Sequence, residues 1–427
     1  MGTLFYEGAP QTLVSNQIDP FLVRFSPQTR AIVGAAWSTL PPDLRRSFVD
    51  TLGTLNKLLG ENPTASTDLL SAIQKLADPL VRPLADIAVV GPVNVGKSSL
   101  YNTIVPDPAR HAAVGPIHGT TREVCATSLG LFNLVDTPGA DRATAVGEEE
   151  RQAALQAARD TDFLLVAFDA ARGITASDKA LYDELAALGK PHLVVLNKID
   201  LIEAKHRKAV VEAAAATLGL ATEAVVPTSA LKGTGTERLV LELAAAEPRL
   251  LAHLGKVLVP MRRKLAMQAV RRSTLTAVVV ALTPIPMLDL IPLAAIQVSL
   301  ILTIARIYDR PMTVARGGEV AATFGIGMLA RTLFYELTKL GGLPGWVLSA
   351  SVAGSATLAM GSAAIQWFET GKKPTRAQVR QTTKRLQSRF TEYLRNFRRK
   401  PNKKQLTQDL EAHLPGMAEL EEETLFE

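Results

Sequence analysis

Cysteine and aromatic residues are scarce in this sequence of 427 residues. Cys125 is the only cysteine, so no disulfide can form within the chain, and we expect a reducing, cytosolic compartment. Aromatic residues make up 5% of the chain and hydrophobic residues 47%, so the apolar content is mostly aliphatic and suits helices. The first residues lack a basic patch followed by an apolar core, so we expect no secretory signal.

Acidic residues are almost absent from one segment near the C-terminal end. Residues 371–404 contain thirteen lysines and arginines and one acidic residue, Glu392. The net charge of the whole chain is +6, so the remainder of the chain is negative by about six charges. The basic character therefore belongs to one tail.

A phosphate-binding loop is the clearest motif in the chain. The pattern G-x-x-x-x-G-K-S runs from Gly91 to Ser98, between the apolar run 87–90 and an expected helix. Glycines let the backbone curl tightly enough to aim several N–H groups at one phosphate, at the positive end of the following helix. An ordinary strand-turn-helix is the alternative for this motif taken alone.

Strand and helix patterns alternate between residues 84 and 248. Short, nearly unbroken apolar runs at 131–136, 163–169, 192–197 and 224–228 are separated by helical segments. This alternation predicts an α/β fold with a mostly parallel sheet that is covered on both faces. Ligands bind such sheets beyond the carboxyl ends of the strands.

Polar residues follow the ends of the predicted strands. Asp136 could hold a magnesium shell through water, and the amide of Gly139 could meet a terminal phosphate. Asp200, in Asn-Lys-Ile-Asp, could accept both N1–H and the exocyclic amine of guanine, a pairing that adenine cannot offer. The Ser229-Ala230 segment would bring a backbone N–H to the guanine O6. A threonine of the Gly119-Thr-Thr-Arg-Glu123 segment could complete the metal shell.

With these five motifs in this order, residues 84–248 resemble the translation-factor-like GTPases, and among them the TrmE/Era/EngA group. The resemblance implies a Ras-like G domain of the P-loop NTPase fold that binds GTP, GDP and Mg²⁺. It makes Lys97 the β/γ-phosphate lysine, Ser98 and Thr121 the magnesium hydroxyls, Asp136 the acceptor of a metal-bound water and Gly139 the γ-phosphate sensor. The predicted nucleotide-binding residues are Gly91, Asn94, Val95, Gly96, Lys97, Ser98, Ser99, Asp136, Asn197, Lys198, Asp200, Ser229 and Ala230.

The resemblance also raises the question of how GTP is hydrolysed. Ala140 stands where Ras-like enzymes carry a water-orienting glutamine, so hydrolysis should be slow or assisted. Asn94 stands where TrmE-like enzymes carry an asparagine associated with K⁺, a cation that supplies charge near the β/γ bridge. Glu148 resembles a switch glutamate that acts through water, although a solvated helix start explains this acidic stretch equally well. The predicted catalytic residues are Lys97, Thr121, Gly139 and Glu148.

Two long apolar runs follow the predicted G domain. Residues 273–305 contain one formal charge, Asp289, and residues 341–368 contain none. A membrane-spanning helix needs about 20 apolar residues, and the small residues of the second run permit close helix packing. Along the chain come Pro284-Ile-Pro286, Asp289, Gln297, Ile304-Ala305 and Tyr308. In this order residues 256–370 resemble the YcjF-type domain of unknown function, whose members are commonly called membrane-associated. A soluble helical domain with fully apolar core helices is the alternative.

The basic tail has the pattern of an amphipathic helix over residues 374–400. Its apolar stripe and basic face would suit an anionic membrane surface. The same face would suit RNA phosphates, and a solvated helix docked on its own protein is the third interpretation. Lipid is therefore the expected partner, a nucleotide-dependent homodimer and a protein effector are further candidates, and nucleic acid is the weaker expectation.

The sequence thus predicts four regions. They are a helical N-terminal region (1–83), a G domain (84–248), an apolar helical domain (249–370) and a basic helix with an acidic tail (371–427). The expected function is a GTP-hydrolysing switch at the cytoplasmic face of a bacterial membrane. The alternatives are a cytoplasmic RNA or ribosome-assembly GTPase and a nucleotide-binding scaffold with negligible turnover.

Overall fold

The computed structural model describes residues 26–39, 86–104, 155–156, 158–282, 290–310, 312–324, 344–397, 401–415 and 417. These residues fall into two compact units, of which one is 86–262 and the other combines 26–39 with 263–417. The boundary between the two units lies after residue 262. The division into four regions stays a prediction.

The first unit is built on a parallel sheet. Its described strands pair in the order β1-β2-β3-β4, and every pair is parallel. Three of the four strands match the predicted apolar runs at both ends, and this confirms the predicted α/β fold class. The predicted strand at 131–136 lies outside the described residues. The strands are β1 (Ile87–Val90), β2 (Phe163–Asp169), β3 (His192–Asn197) and β4 (Val225–Pro227).

Helices cover both faces of this sheet. Alternate strand residues such as Leu164 and Val166 pack with Leu181 and Val211 of two helices in one fully apolar core. The helix that follows β1 packs against β1, and the helix that follows β4 packs against β3. These two helices cover the opposite face of the sheet. The polar strand ends are therefore the part of the sheet left to meet a ligand. The helices are α2 (Lys97–Ile104), α3 (Ala176–Ala187), α4 (Arg207–Leu218), α5 (Thr236–Ala246) and α6 (Leu251–Val257), after α1 (Pro27–Thr39) of the other unit.

The second unit is helical throughout its described residues. Helix α1 belongs to it and is the described part of the predicted helical N-terminal region. Segments from both sides of the sheet unit in the chain therefore fold together. The remaining helices are α7 (Arg262–Ala281), α8 (Leu290–Ile307), α9 (Val314–Phe324), α10 (Gly345–Thr370), α11 (Arg376–Arg395) and α12 (Lys403–Ala412).

Helix α10 lies at the centre of the helical unit. Among the described helices it alone is both long and apolar enough to cross a membrane, with a mean hydropathy of 1.4 over its most apolar stretch. In that stretch 94% of the helix is buried inside the protein. Gly354 lies against Val278 of α7 and Phe390 of α11, and Gly361 lies against Val270 and Leu300. The apolar surface of α10 is thus satisfied by other helices.

The apolar run 273–305 is divided between two helices. Its first part ends α7 at Ala281, and its second part begins α8 at Leu290. The Pro284-Ile-Pro286 break and Asp289 lie between them, outside the described residues. At the opposite end of the helices, Glu369 accepts hydrogen bonds from Arg263 and from the Tyr308 hydroxyl, both at 2.7 Å. This carboxylate joins α7, α10 and the end of α8.

Helix α11 docks on α10 through its apolar stripe. Thr375 caps its first turn in a reciprocal pair with Gln378, which explains why the helix begins there. Val379, Leu386 and Phe390 are at most 2% exposed, so the stripe is used inside the protein. The apolar side of α11 is therefore docked on its own protein, as one of the three interpretations of the tail expects. The basic side of the helix stays exposed.

We predict that Gly361→Ala destabilises the helical unit. The added Cβ would lie 2.5 Å from Cγ2 of Val270 and 2.8 Å from its Cγ1, and a β-branched side chain on a helix has little freedom to move away. The expected loss is about 1–3 kcal/mol of unfolding free energy, measured by denaturant titration.

The matched control is Gly345→Ala, in the first turn of the same helix. No atom lies within 4 Å of the added Cβ at that position. Helix propensity alone favours alanine by up to about 1 kcal/mol. Equal stability of the two variants would mean that α10 is not enclosed at Gly361.

Candidate nucleotide-binding site

The loop between β1 and α2 has a backbone that side chains at two positions would disrupt. At Gly91, with φ of 149°, a Cβ would lie 2.1 Å from the carbonyl oxygen of Ala167 in β2. At Gly96, with φ of 89°, a Cβ would lie 2.6 Å from Nδ2 of Asn197. Asn94 also has a left-handed backbone, with φ of 60°, and is exposed. The two glycines allow the loop to pass close to the neighbouring strands.

Lys97 lies inside the curl of this loop. Its side chain is buried, and Nζ donates hydrogen bonds of 2.9 Å to the carbonyl oxygens of both Gly91 and Pro92. Ser98 and Ser99 follow in the first turn of α2 and are partly exposed. A buried ammonium group beside a helix N-terminus favours a bound anion. The loop therefore has the shape and charge of a phosphate cradle.

Asn197 joins this loop to the loop after β4. Its Nδ2 donates to the carbonyl oxygen of Val95 at 2.8 Å, and its Oδ1 accepts from the backbone N–H of Ala230 at 3.0 Å. Oδ1 also accepts from the hydroxyl of Thr228 at 3.4 Å. The side chain is 2% exposed, so these bonds form away from solvent. One amide thus sets the distance between the phosphate cradle and the loop that would read the base.

The carboxylate of Asp200 is held ionised beside Asn197. A hydrogen bond from the Ser229 hydroxyl lowers the pKa of Asp200, and the positive charges of Lys232 and Arg207 add to this effect against the cost of burial. The nearest of these charges, Nζ of Lys232, lies 3.9 Å from Oδ2. An ionised carboxylate at neutral pH can accept two hydrogen bonds from the N1–H and amine of guanine.

Helix α2 also contacts the loop after β4. The Thr103 hydroxyl lies 2.8 Å from the carbonyl oxygen of Ala230 and 2.8 Å from that of Ser99 in its own helix, so its one proton is shared between two acceptors. The N–H of the same Ala230 binds Asn197. Ala230 is therefore held from both sides. Thr103 has no role among the sequence predictions, because a threonine in the last turn of a helix gives no local signal of a contact more than 120 residues away.

Five residues with predicted roles lie outside the described residues. They are Thr121, Asp136, Gly139, Ala140 and Glu148, and their roles stay predictions. Within the described part of the chain, no three His, Cys, Asp or Glu side chains group as metal ligands. The hydroxyl of Ser98, next to the buried ammonium of Lys97, is the group there that fits a magnesium ion bound to phosphate.

Two family models match the chain. Residues 86–198 match the model described as "50S ribosome-binding GTPase", and these residues contain the phosphate loop, Asn197 and Lys198. The chain carries a P-loop GTPase domain. Residues 247–396 match a domain of unknown function, in agreement with the resemblance drawn for the apolar half. The resemblance to the TrmE/Era/EngA group is thereby confirmed.

Curated relatives agree with this GTPase domain. The tRNA modification GTPase MnmE of Aquifex aeolicus is 36% identical over 172 residues, which are 38% of this chain and 34% of that protein. The GTPase Der of Nitratiruptor is 36% identical over 118 residues, 27% of this chain and 25% of that protein. The chain thus spans about a third or less of the length of these relatives.

A solved structure of Aquifex aeolicus Era with GDP and aluminium fluoride is 26% identical. It covers 46% of this chain and 68% of that one, with a TM-score of 0.33. A score of this size supports no structural inference. The GTPase domain is identified instead by its family model, its motifs and the parallel sheet.

The GTPase domain also contains an ion pair that is not among the sequence predictions. Lys198 donates from Nζ to Oδ2 of Asp169 at 2.7 Å. Asp169 ends β2, as Asn197 ends β3, and the two residues pair in register. The sequence signal for this contact is Asp169 itself, an acidic residue at the end of the apolar run 163–169.

Proposed function

We propose that this protein binds GTP, hydrolyses it to GDP and acts as a molecular switch. The observation that carries this proposal is the joining of the phosphate cradle and the Asp200 loop by the amide of Asn197. Phosphate and base subsites held at a fixed separation suit a nucleotide, and the ionised carboxylate selects guanine over adenine. GTP would order the loops at Thr121 and Gly139, and hydrolysis would release them.

Lys97 and Ser98 are placed to stabilise the negative charge of bound phosphates. We propose that Nζ of Lys97 leaves the carbonyl oxygens of the loop and binds the β- and γ-phosphates. Ser98, with Thr121 and Asp136, would hold Mg²⁺, which supplies positive charge to the same phosphates. Because Ala140 has no group to orient water, Glu148 and a second cation near Asn94 are our candidates for assistance.

We predict that Asp200→Asn shifts the preference of the protein from GTP to XTP. Asparagine offers a donor where the aspartate accepts, so it repels the guanine amine and suits the additional oxygen of xanthine. The expected change in relative affinity is at least about tenfold, since one unsatisfied polar contact costs roughly 1–3 kcal/mol. The measurement is competition of GTP and XTP against a fluorescent GDP.

The control for this variant is Asp183→Asn, which removes a surface carboxylate paired with Lys179 on α3. It should leave the base preference unchanged. An Asp200→Asn protein that still prefers GTP would show that the base site is wrongly assigned. A wild-type protein that binds GTP with negligible turnover would favour the scaffold alternative.

We predict faster GTP hydrolysis in KCl than in NaCl, with the difference lost in Asn94→Ala. The proposal is that the side-chain oxygen of Asn94 binds K⁺ beside the phosphates. Alanine is also strained at a φ of 60°, so Asn94→Gly is the better test. Glycine keeps the backbone conformation and removes only the ligand. Equal rates of the wild-type protein in the two salts would contradict the potassium proposal.

A second proposal is attachment to the cytoplasmic face of a membrane through the basic side of α11. The apolar stripe of α11 packs on α10, so the exposed side of the helix is the one that carries its basic residues. Six cations of α11 and the turn before it, residues 372–395, have no ion pair with another described residue. Anionic lipid surfaces attract such clusters by about 1 kcal/mol per basic residue. The six are Lys372, Arg376, Arg380, Lys384, Arg385 and Arg395.

We predict that the protein floats with vesicles containing anionic lipid at low salt and dissociates at high salt. Arg380→Glu/Arg385→Glu should abolish flotation, while Lys205→Glu/Lys208→Glu, an equal charge change on the sheet unit, should not. Flotation with neutral vesicles would contradict the proposal, as would flotation that resists the α11 reversal. Binding to RNA with no binding to vesicles would favour the RNA or ribosome-assembly alternative.

An alkaline carbonate wash separates attachment from integration. Because α10 is enclosed by protein, we expect the wash to release the protein from membranes. Retention in the membrane pellet would mean that α10 or α8 leaves the helical unit and enters the bilayer, which would contradict peripheral attachment. Nucleotide-dependent homodimerisation and a protein effector remain proposals that follow from the switch.

A further inference from the structure

Asp169 lies one strand away from the residues that would read the base. It is the last residue of β2 and pairs in register with Asn197, the last residue of β3. The pairing continues past the strand end, since the N–H of Ala170 donates to the carbonyl oxygen of Asn197 at 2.8 Å. The backbone positions of Asp169 and Lys198 are therefore fixed relative to each other.

The two carboxylate oxygens of Asp169 have different partners. Oδ1 accepts from the backbone N–H of Ala171 at 2.8 Å and more weakly from that of Arg172 at 3.4 Å. Oδ2 accepts from Nζ of Lys198 at 2.7 Å. One oxygen thus anchors the carboxylate to its own turn, and the other is directed at Lys198. The Asp169 side chain is 14% exposed, so solvent screens this pair less than a surface pair.

The backbone of Lys198 is fixed by its place in the chain. Its φ of 63° is left-handed, so its side chain leaves the loop in a direction different from that of a regular strand. The loop is held on both sides, by the bonds of Asn197 and by the N–H of Ile199, which donates to Thr228 at 3.0 Å. The backbone is fixed, and the long side chain would otherwise remain free.

Asp200 carries the other carboxylate of this loop, two residues from Lys198, and the positive charges that act on it are those of Lys232 and Arg207. A pair between Lys198 and Asp200 would occupy the oxygens that the proposed function assigns to guanine. Asp169 gives Lys198 a different acceptor on the neighbouring strand. Lys198 is then held at the edge of the base site, and Asp200 keeps its acceptors for the ligand.

We propose that Asp169 is a positioning residue for guanine-nucleotide binding, which acts by holding Lys198 in place and away from Asp200. This inference rests on the proposed function. It assigns Asp169 no contact with the nucleotide. Its effect on affinity should therefore depend entirely on the charge of Lys198.

The test is a double-mutant cycle on GDP affinity with Asp169→Asn and Lys198→Met. Asparagine keeps an oxygen for the N–H of Ala171 and loses the charge, and methionine keeps most of the apolar stem and loses the ammonium. We expect Asp169→Asn to weaken GDP binding about fivefold in the wild-type background, the factor expected for one partly buried ion pair. In the Lys198→Met background it should change the affinity by less than about twofold.

A purely structural role for Asp169 would give a different result. Loss of the turn at Ala171 would weaken binding equally in both backgrounds and would lower the thermal midpoint of the nucleotide-free protein. Either outcome, or an unchanged affinity in Asp169→Asn, would overturn the inference. Asp183→Asn serves as the matched control, because it breaks an aspartate–lysine pair of the same unit far along α3.

The same titrations separate this inference from the proposed function. Failure of the wild-type protein to bind GDP would refute the proposed function itself. GDP binding by the wild-type protein with no coupling between Asp169 and Lys198 would refute only the positioning role. Glutamate at position 169 adds one methylene and keeps the charge, so Asp169→Glu should recover part of the lost affinity.

Discussion

The buried amide of Asn197 is the contact on which the candidate site depends. It is the one side chain in the described structure that bonds to both the phosphate loop, at Val95, and the loop after β4, at Ala230. A buried amide without its partners costs roughly 1–3 kcal/mol, so both loops are held where the amide is satisfied. The close approach of Gly96 to the same amide explains why that loop position requires glycine.

The helical unit follows a different constraint, the burial of one long apolar helix. Glycines at 354 and 361 let α7, α8 and α11 approach α10 closely, so the protein itself supplies the apolar surroundings that a lipid bilayer could otherwise provide. This arrangement leaves the cations of α11 outside. A protein with an enclosed apolar helix and an exposed basic face can reach a charged surface without inserting into it.

The sequence predicted the sheet well because buried parallel strands are short, nearly unbroken apolar runs that end at polar residues. β2 and β3 begin and end where those runs do. Local patterns could not predict that α1 packs with α8 and α9, which begin more than 250 residues further along the chain, or that Lys198 bonds to Asp169. Both depend on tertiary contacts. The basic tail is a third example. Its amphipathic pattern predicts that one side of the helix is buried, but the pattern does not show that α10 covers that side.

The most direct test of this account is calorimetric titration of the full chain with GDP and with ADP in the presence of Mg²⁺. We expect binding of GDP, with ADP weaker by a factor of about 100 or more, since adenine leaves the carboxylate of Asp200 without its donors. In Asn197→Ala, with an unchanged circular dichroism spectrum, GDP binding should be lost. Equal affinity for the two nucleotides, or GDP binding unaffected by loss of the Asn197 amide, would contradict the account.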